Sequence, residues 1–265
     1  MLTLEAGEAA VQIFPECGGR IGSLRVDGHE LLLTEGDDAL RWGCYPMAPY
    51  AGRVRGGRFA FEGADYELPL AMPPHAIHGT VLAAPFDVEA SDPTSVRLRA
   101  ELGPNWPFAG EVRTEISLAP EALRLSLKVH AEDAPFPASV GWHPWFRRVL
   151  DDGSRLQLQF EAKSMYERDA SGIPTGRLVE RPSGPVDDCF LDVTRGPSLE
   201  WPGALRMELT SSHAHWVLYD EPADSVCIEP QTGPPDALNL EPRIVQASDP
   251  MRLDFGLSWR KPAGS

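Results

Sequence analysis

Long apolar runs are missing from this chain of 265 residues. No stretch approaches the roughly 18 consecutive apolar residues of a membrane-spanning helix, and no basic-then-apolar leader precedes the first strand. The chain therefore reads as soluble, not exported and cytoplasmic. Cysteine is sparse: Cys17, Cys44, Cys189 and Cys227 lie far apart with no Cys-x-x-Cys, which excludes a zinc ribbon and a disulfide framework and suits reduced thiols. Positive charge is in deficit, with Lys+Arg 24 against Asp+Glu 39 and a net charge of -15. An acidic surface argues against nucleic acid and anionic membrane as partners and says little about a neutral ligand. Helical periodicity is also missing, since no apolar stripe runs longer than two turns. Pro 26 and Gly 24 are spread without a repeat period, as in a chain with many turns.

What is present is alternation. Val96, Leu98, Ala100 and Leu102 alternate with polar residues, as do Val112, Thr114, Ile116 and Leu118, then Leu123, Leu125, Leu127 and Val129. A two-residue period marks strands with one buried face, and short turns between them predict consecutive antiparallel neighbours. Val11–Phe14, Arg20–Val26, Leu31–Leu33, Leu156–Phe160, Leu205–Leu209, Trp216–Tyr219, Val226–Ile228 and Met251–Trp259 add further strands, with Asp27-Gly28 a hairpin turn. Residues 42–58 and 69–79 read as irregular loops, and 261–265 as a frayed end. Many short strands without intervening helices predict an all-β fold, a large antiparallel β-sandwich or barrel, as a single domain over residues 1–265.

Chemistry-bearing residues collect in the irregular stretches, as expected where a rigid sheet carries functional loops. The apolar run Val226-Cys227-Ile228 gives way to Glu229, and Pro230, Pro234 and Pro235 predict that the strand ends there. A carboxylate at a rigid strand end suits a general base, though alone it reads as a solvated terminus. His143 stands between Trp142 and Trp145 beside Pro144; aromatic faces pack on pyranose C–H groups and an imidazole exchanges protons near neutral pH, while an aromatic core with a satisfied histidine reads equally well. Arg53, beside Gly52, suggests anion or hydroxyl recognition; Arg55 and Arg58 read as strand-flank charges in water. His78 reads as a hydrogen-bonding residue and His75 as a bystander, because Pro73-Pro74 disfavour the helix that would align both for a metal. Asp187 and Asp188 would point to opposite faces of a strand, one at a site and the other solvated. His213 and His215 lack a glutamate at metal-site spacing, so no metal site is expected.

Taken together, Gly52-Arg53, Gly57-Arg58-Phe59, His78-Gly79, His143-Pro144-Trp145-Phe146, Asp187 and Glu229-Pro230-Gln231-Thr232 resemble the aldose 1-epimerase (galactose mutarotase) family, in its order and over most of the chain. The departures are Gly52 where many members carry Asn, Thr80 where many carry a second glycine, and Trp145 where Tyr is common; they bear on sugar preference. The resemblance implies a β-supersandwich and anomer exchange on a monosaccharide, with Glu229 as base and His143 as acid. It further implies Arg53, His78, Asp187 and Trp145 around the sugar, no cofactor, no metal, and a monomer or homodimer. Three rivals remain. A hexose-6-phosphate 1-epimerase would use Arg55 or Arg58 for phosphate. A glycoside hydrolase would use Glu229 with Asp187 and leave the histidine unexplained. A non-catalytic sugar-binding protein would have no need of both Glu229 and His143.

Overall fold

The computed structural model describes residues 1–181 and 183–261; of the end expected to fray, residues 262–265 lie outside the described part. Seventeen strands form one hydrogen-bonded sheet, and three two-stranded ribbons flank it. Every pairing between named strands is antiparallel. The only α-helix among the described residues is Ala237–Leu240, and none is long and apolar enough to cross a membrane.

The alternating segments form the strands their pattern predicts. Ser95–Glu101, Gly110–Ala119 and Ala122–Ala131 pair in succession, and Met251–Arg260 joins Ala122–Ala131 to Leu205–Ser211. Their apolar residues turn into one large core, while the intervening residues mostly face outward. Burying an apolar side chain of this size stabilises by roughly 1.5–3 kcal/mol, which fixes the register, since a one-residue slip would turn every such residue outward.

A second run of strands, buried on both faces where they lie side by side, carries the site. In spatial order it is Cys44–Met47, Gly141–Arg147, Ser225–Gln231, His215–Tyr219 and Asp187–Trp201. Trp142, Phe146, Val226, Ile228, Trp216, Leu218 and Phe190 point to the main core. Their neighbours along each strand point the other way, where Tyr45, Met47, Trp145 and Cys227 form one small apolar cluster and Cys189 and Val217 belong to another.

Four expectations fail here. The strand expected at Leu31–Leu33 lies instead at His29–Glu30, with only a bridge from Leu32 to Phe146, and the loop expected at 69–79 contains the short strand Ala76–Ile77. Residues 42–58 are not wholly irregular, because Cys44–Met47 is an interior strand despite Pro46. The apolar strand does not stop at Glu229; it continues through Pro230 to Gln231, with Glu229 opposite Val217 and Pro230 opposite Trp216. Toward Gly141–Arg147 the ladder is interrupted between the pairs Gly141/Gln231 and Trp145/Cys227, the interval that holds Pro144 and Pro230. Neither proline has an N–H to donate, so both sit where the ladder makes no bond.

Candidate active site

The register is the same on both sides of that interruption, which sets His143 directly across from Glu229. Cross-strand partners have Cβ atoms about 4.5–5.5 Å apart on one face. Here the side chains meet, with His143 Nε2 3.2 Å from Glu229 Oε1. Tyr45, His143, Glu229, Val217 and Cys189 thus form one row across five strands, and Trp145, Cys227, Tyr219 and Asp187 form the next. From these rows His143, Glu229, Val217, Trp145, Tyr219 and Asp187 line the floor of a cleft of about 290 Å³, near the lower end of the roughly 300–1,000 Å³ usual for small-molecule sites.

All six residues singled out from the sequence, Arg53, His78, His143, Trp145, Asp187 and Glu229, line this one cleft. A two-stranded ribbon of Arg53–Val54 and Ala76–Ile77 brings Arg53 and His78 in side by side, and the His78 N–H donates to the Gly52 carbonyl at 3.0 Å. His78 has φ +58, and Gly79 after it has φ +83. A Cβ on Gly79 would lie 1.9 Å from the Ala48 carbonyl oxygen, so only glycine lets the chain pass and holds the His78 ring edge-on to His143, centroids 4.9 Å apart. Arg53 donates to Asp187 at 3.3 Å, as does Arg168.

His143 is clamped between Tyr45, 4.8 Å between centroids, and Trp145, at 5.2 Å, both nearly parallel to it. Trp145 is 5% exposed and donates its indole N–H to the Leu40 carbonyl at 2.8 Å; the Tyr45 hydroxyl donates to the same oxygen at 2.9 Å. These two bonds tie residues 38–42 to the cleft rim.

Both members of the central pair resist charge. Burial first, and then the Asp187 charge, push the Glu229 carboxyl well up, against a donated bond from Gln231 Nε2 at 3.1 Å and the field of Arg53. Burial, and then His78, hold the His143 imidazole well below the ordinary histidine value. Burial and Arg53 lower His78 to about 3, so it is a neutral ring. The environment therefore favours a neutral carboxylic acid beside a neutral imidazole, a pair holding one transferable proton. His78 Nδ1, His143 Nδ1 and Gln231 Oε1 are buried polar atoms with no partner among the described residues.

Asp188 corrects one expectation. It points away from the cleft, as strand alternation requires, but is 5% exposed rather than solvated and forms an ion pair with Arg168, Nε to Oδ1 2.6 Å. His75 is structural, its Nδ1 accepting from the Gly56 N–H at 3.1 Å. Arg55 pairs with Asp169 and Arg58 with Glu67, and neither lines the cleft. His213 and His215 are engaged separately, with the Arg252 carbonyl and with Glu241. Arg41 and Tyr219 line the cleft although no sequence pattern marked them, and Gln231 lines it from within residues 229–232, where the resemblance assigns it no role. Arg20, outside the cleft lining, is buried behind Tyr45, and its guanidinium donates to the carbonyls of Cys17, Ala39 and Trp42.

Comparison with known proteins agrees with this architecture. The family model for aldose 1-epimerase matches residues 1–262. The uncharacterized Escherichia coli K12 protein YphB is 25% identical over 215 residues, covering 73% of this chain and 74% of YphB. A galactose mutarotase-like protein from Clostridium acetobutylicum superposes with TM-score 0.86 at 17% identity, over 98% of this chain and 95% of that one. The galactose 1-epimerase of Lactobacillus acidophilus NCFM superposes with TM-score 0.80 at 18% identity, over 98% and 93%.

Proposed function

The chain belongs to the aldose 1-epimerase family, and from that premise we propose that it interconverts the α and β anomers of a free hexose by opening and reclosing the pyranose ring. The observation that carries the reading is the His143–Glu229 pair, 3.2 Å apart and buried on the floor of a sugar-sized cleft.

Ring opening moves two protons and breaks one bond. Glu229 takes the C1 hydroxyl proton, the C1–O5 bond breaks with its electron pair going to O5, and His143 protonates O5. The aldehyde turns about C1–C2, the C5 hydroxyl attacks its other face, and both protons return. Nothing is oxidised or transferred, so the step itself calls for no cofactor. A carboxylate is the form that can take the C1 hydroxyl proton, and an imidazolium is the form that can hand a proton to the ring oxygen. Bound sugar therefore favours the charged form of the pair over the neutral form that burial favours. Closure reverses the roles.

The surrounding groups suit this chemistry. His78, a neutral ring with a free Nδ1, lies beside the reacting centre and can bond the C1 region. Arg53 and Asp187 offer a donor and an acceptor to sugar hydroxyls while holding each other in place. Trp145 forms an apolar wall and, by stacking, fixes the plane of His143.

The test is Glu229→Gln, which keeps shape and removes the proton acceptor. Mutarotation of glucose or galactose, followed by polarimetry above the spontaneous rate, should fall by about 10²–10⁴-fold. A wild-type rate in the variant removes Glu229 as the base.

A further inference from the structure

Cys227 plays no part in the proton transfers, yet it sits beside both groups that do. It lies two residues before Glu229 on the same strand, so both side chains point to the cleft face, and it is fully buried. One ligand atom each from His143, Cys227 and Glu229 lies within 4.8 Å of the others, the only such group of three among the described residues. The His143–Glu229 separation is 3.2 Å. Tetrahedral zinc holds sulfur at about 2.3 Å and nitrogen or oxygen at about 2.0–2.2 Å, so donors around one ion stand roughly 3.3–3.7 Å apart. The nitrogen and oxygen are already near that spacing, and the sulfur, within 4.8 Å of both, has no more than about 1 Å to close.

We propose that His143, Cys227 and Glu229 form a site for a thiophilic divalent cation of the zinc class, and that the cation inhibits the enzyme by occupying both proton-transfer groups. The donor set is chemically apt. A thiolate, a carboxylate and a neutral imidazole balance two positive charges, so the complex is neutral in a place where net charge is costly. The mixture of sulfur, nitrogen and oxygen ligands is one zinc accepts, and three protein ligands leave a fourth position for water on the cleft side. Binding releases the Cys227 thiol proton, and the Glu229 carboxyl proton where that group holds one; no redox step is involved. Burial raises the Cys227 thiol pKa, but a coordinated thiol loses its proton to the metal. The nearby guanidiniums oppose the cation little, because Arg53 is paired with Asp187 and Arg41 with Asp224.

The inhibitory half of this proposal rests on the epimerase reading, and the binding half does not. The experiment therefore reads them separately on the full chain after chelator treatment. Cobalt(II) added as a spectroscopic probe should give a thiolate-to-cobalt charge-transfer band and the intense visible bands of a four-coordinate ion, saturating at one equivalent. Zinc should displace it, and Cys227→Ser and Cys227→Ala should each abolish the charge-transfer band. In the sugar assay, zinc should inhibit reversibly on chelation. The zinc concentration needed should rise by about 10-fold or more in Cys227→Ser, since loss of even an outer-shell partner costs about 10–100-fold in metal affinity. That shift is read against the variant's own metal-free rate. Absence of the charge-transfer band in folded wild-type protein overturns the site. A band present with unaltered zinc sensitivity in Cys227→Ser overturns the inhibitory role. If no sugar is turned over at all, the epimerase reading fails while the cobalt spectrum still decides the site.

Discussion

At His78 the pKa of about 3, set by burial and then by Arg53, becomes a measurable stability term. The ordinary histidine value is about 6.5, so between the two the unfolded chain binds a proton that the folded one refuses. Stability from this group is present above about pH 6.5 and lost as pH falls toward 3, at up to about 1.4 kcal/mol per pH unit. His143 shifts the same way, and Glu229, pushed up, acts with the opposite sign above the ordinary carboxylate value. A difference experiment isolates His78. In His78→Asn, which suits the left-handed backbone better than most residues, the urea midpoint should fall less steeply than in wild type between pH 6.5 and 4; equal slopes would refute the assignment. At this scale the sequence was informative where a residue carried its own signal. Glu229 and His143 stood out through flanking prolines and tryptophans, and Arg53 and His78 through glycine neighbours. Tyr219 carries no such mark, because it enters the cleft only through pairing, opposite both Asp187 and Cys227.

Among elements, the bend after the Ala76–Ile77 strand decides whether His78 reaches the cleft. Gly79→Ala would place a methyl 1.9 Å from the Ala48 carbonyl oxygen in a left-handed conformation. The strain of such a backbone alone is about 1–3 kcal/mol, and the contact adds to it. Denaturant unfolding should show a loss of at least that size. Sugar turnover should fall further than stability alone explains, since the ribbon must shift and take His78 with it. A variant as stable and active as wild type would show that the bend is not fixed by this contact. Strands with one buried face were legible because burial imposes a two-residue period, as in Ala122–Ala131. Cys44–Met47 and the end of Ser225–Gln231 were not. Buried on both faces, they lack alternation, and Pro46 and Pro230 are ordinarily signs of termination. Pro230 is accommodated by a gap in the ladder toward Gly141–Arg147, a feature of strand neighbours and not of local sequence.

For the molecule as a whole, the net charge of -15 bears on which sugar can enter. The cleft is lined by the carboxyl-bearing Asp38, Asp187, Glu221 and Glu229 and by only two arginines, Arg41 and Arg53. Both arginines are committed, Arg53 to Asp187 at 3.3 Å and Arg41 to Asp224 at 2.8 Å. Arg55 and Arg58, the residues a phosphate-binding rival requires, are paired elsewhere and outside the cleft. A sugar phosphate would have to displace a carboxylate from its guanidinium and approach against the field of the whole surface, whereas a neutral hexose meets neither obstacle. Anomer exchange followed by NMR should therefore give a larger kcat/KM on glucose or galactose than on glucose 6-phosphate. Raising the salt from about 0.01 M to 0.15 M shortens the screening length from about 30 Å to about 8 Å. It should narrow the gap by helping the phosphate and leave the neutral sugar nearly unchanged. A 6-phosphate turned over faster at low salt would mean that an arginine leaves its carboxylate to bind phosphate. The neutral-sugar reading would then give way to the sugar-phosphate one.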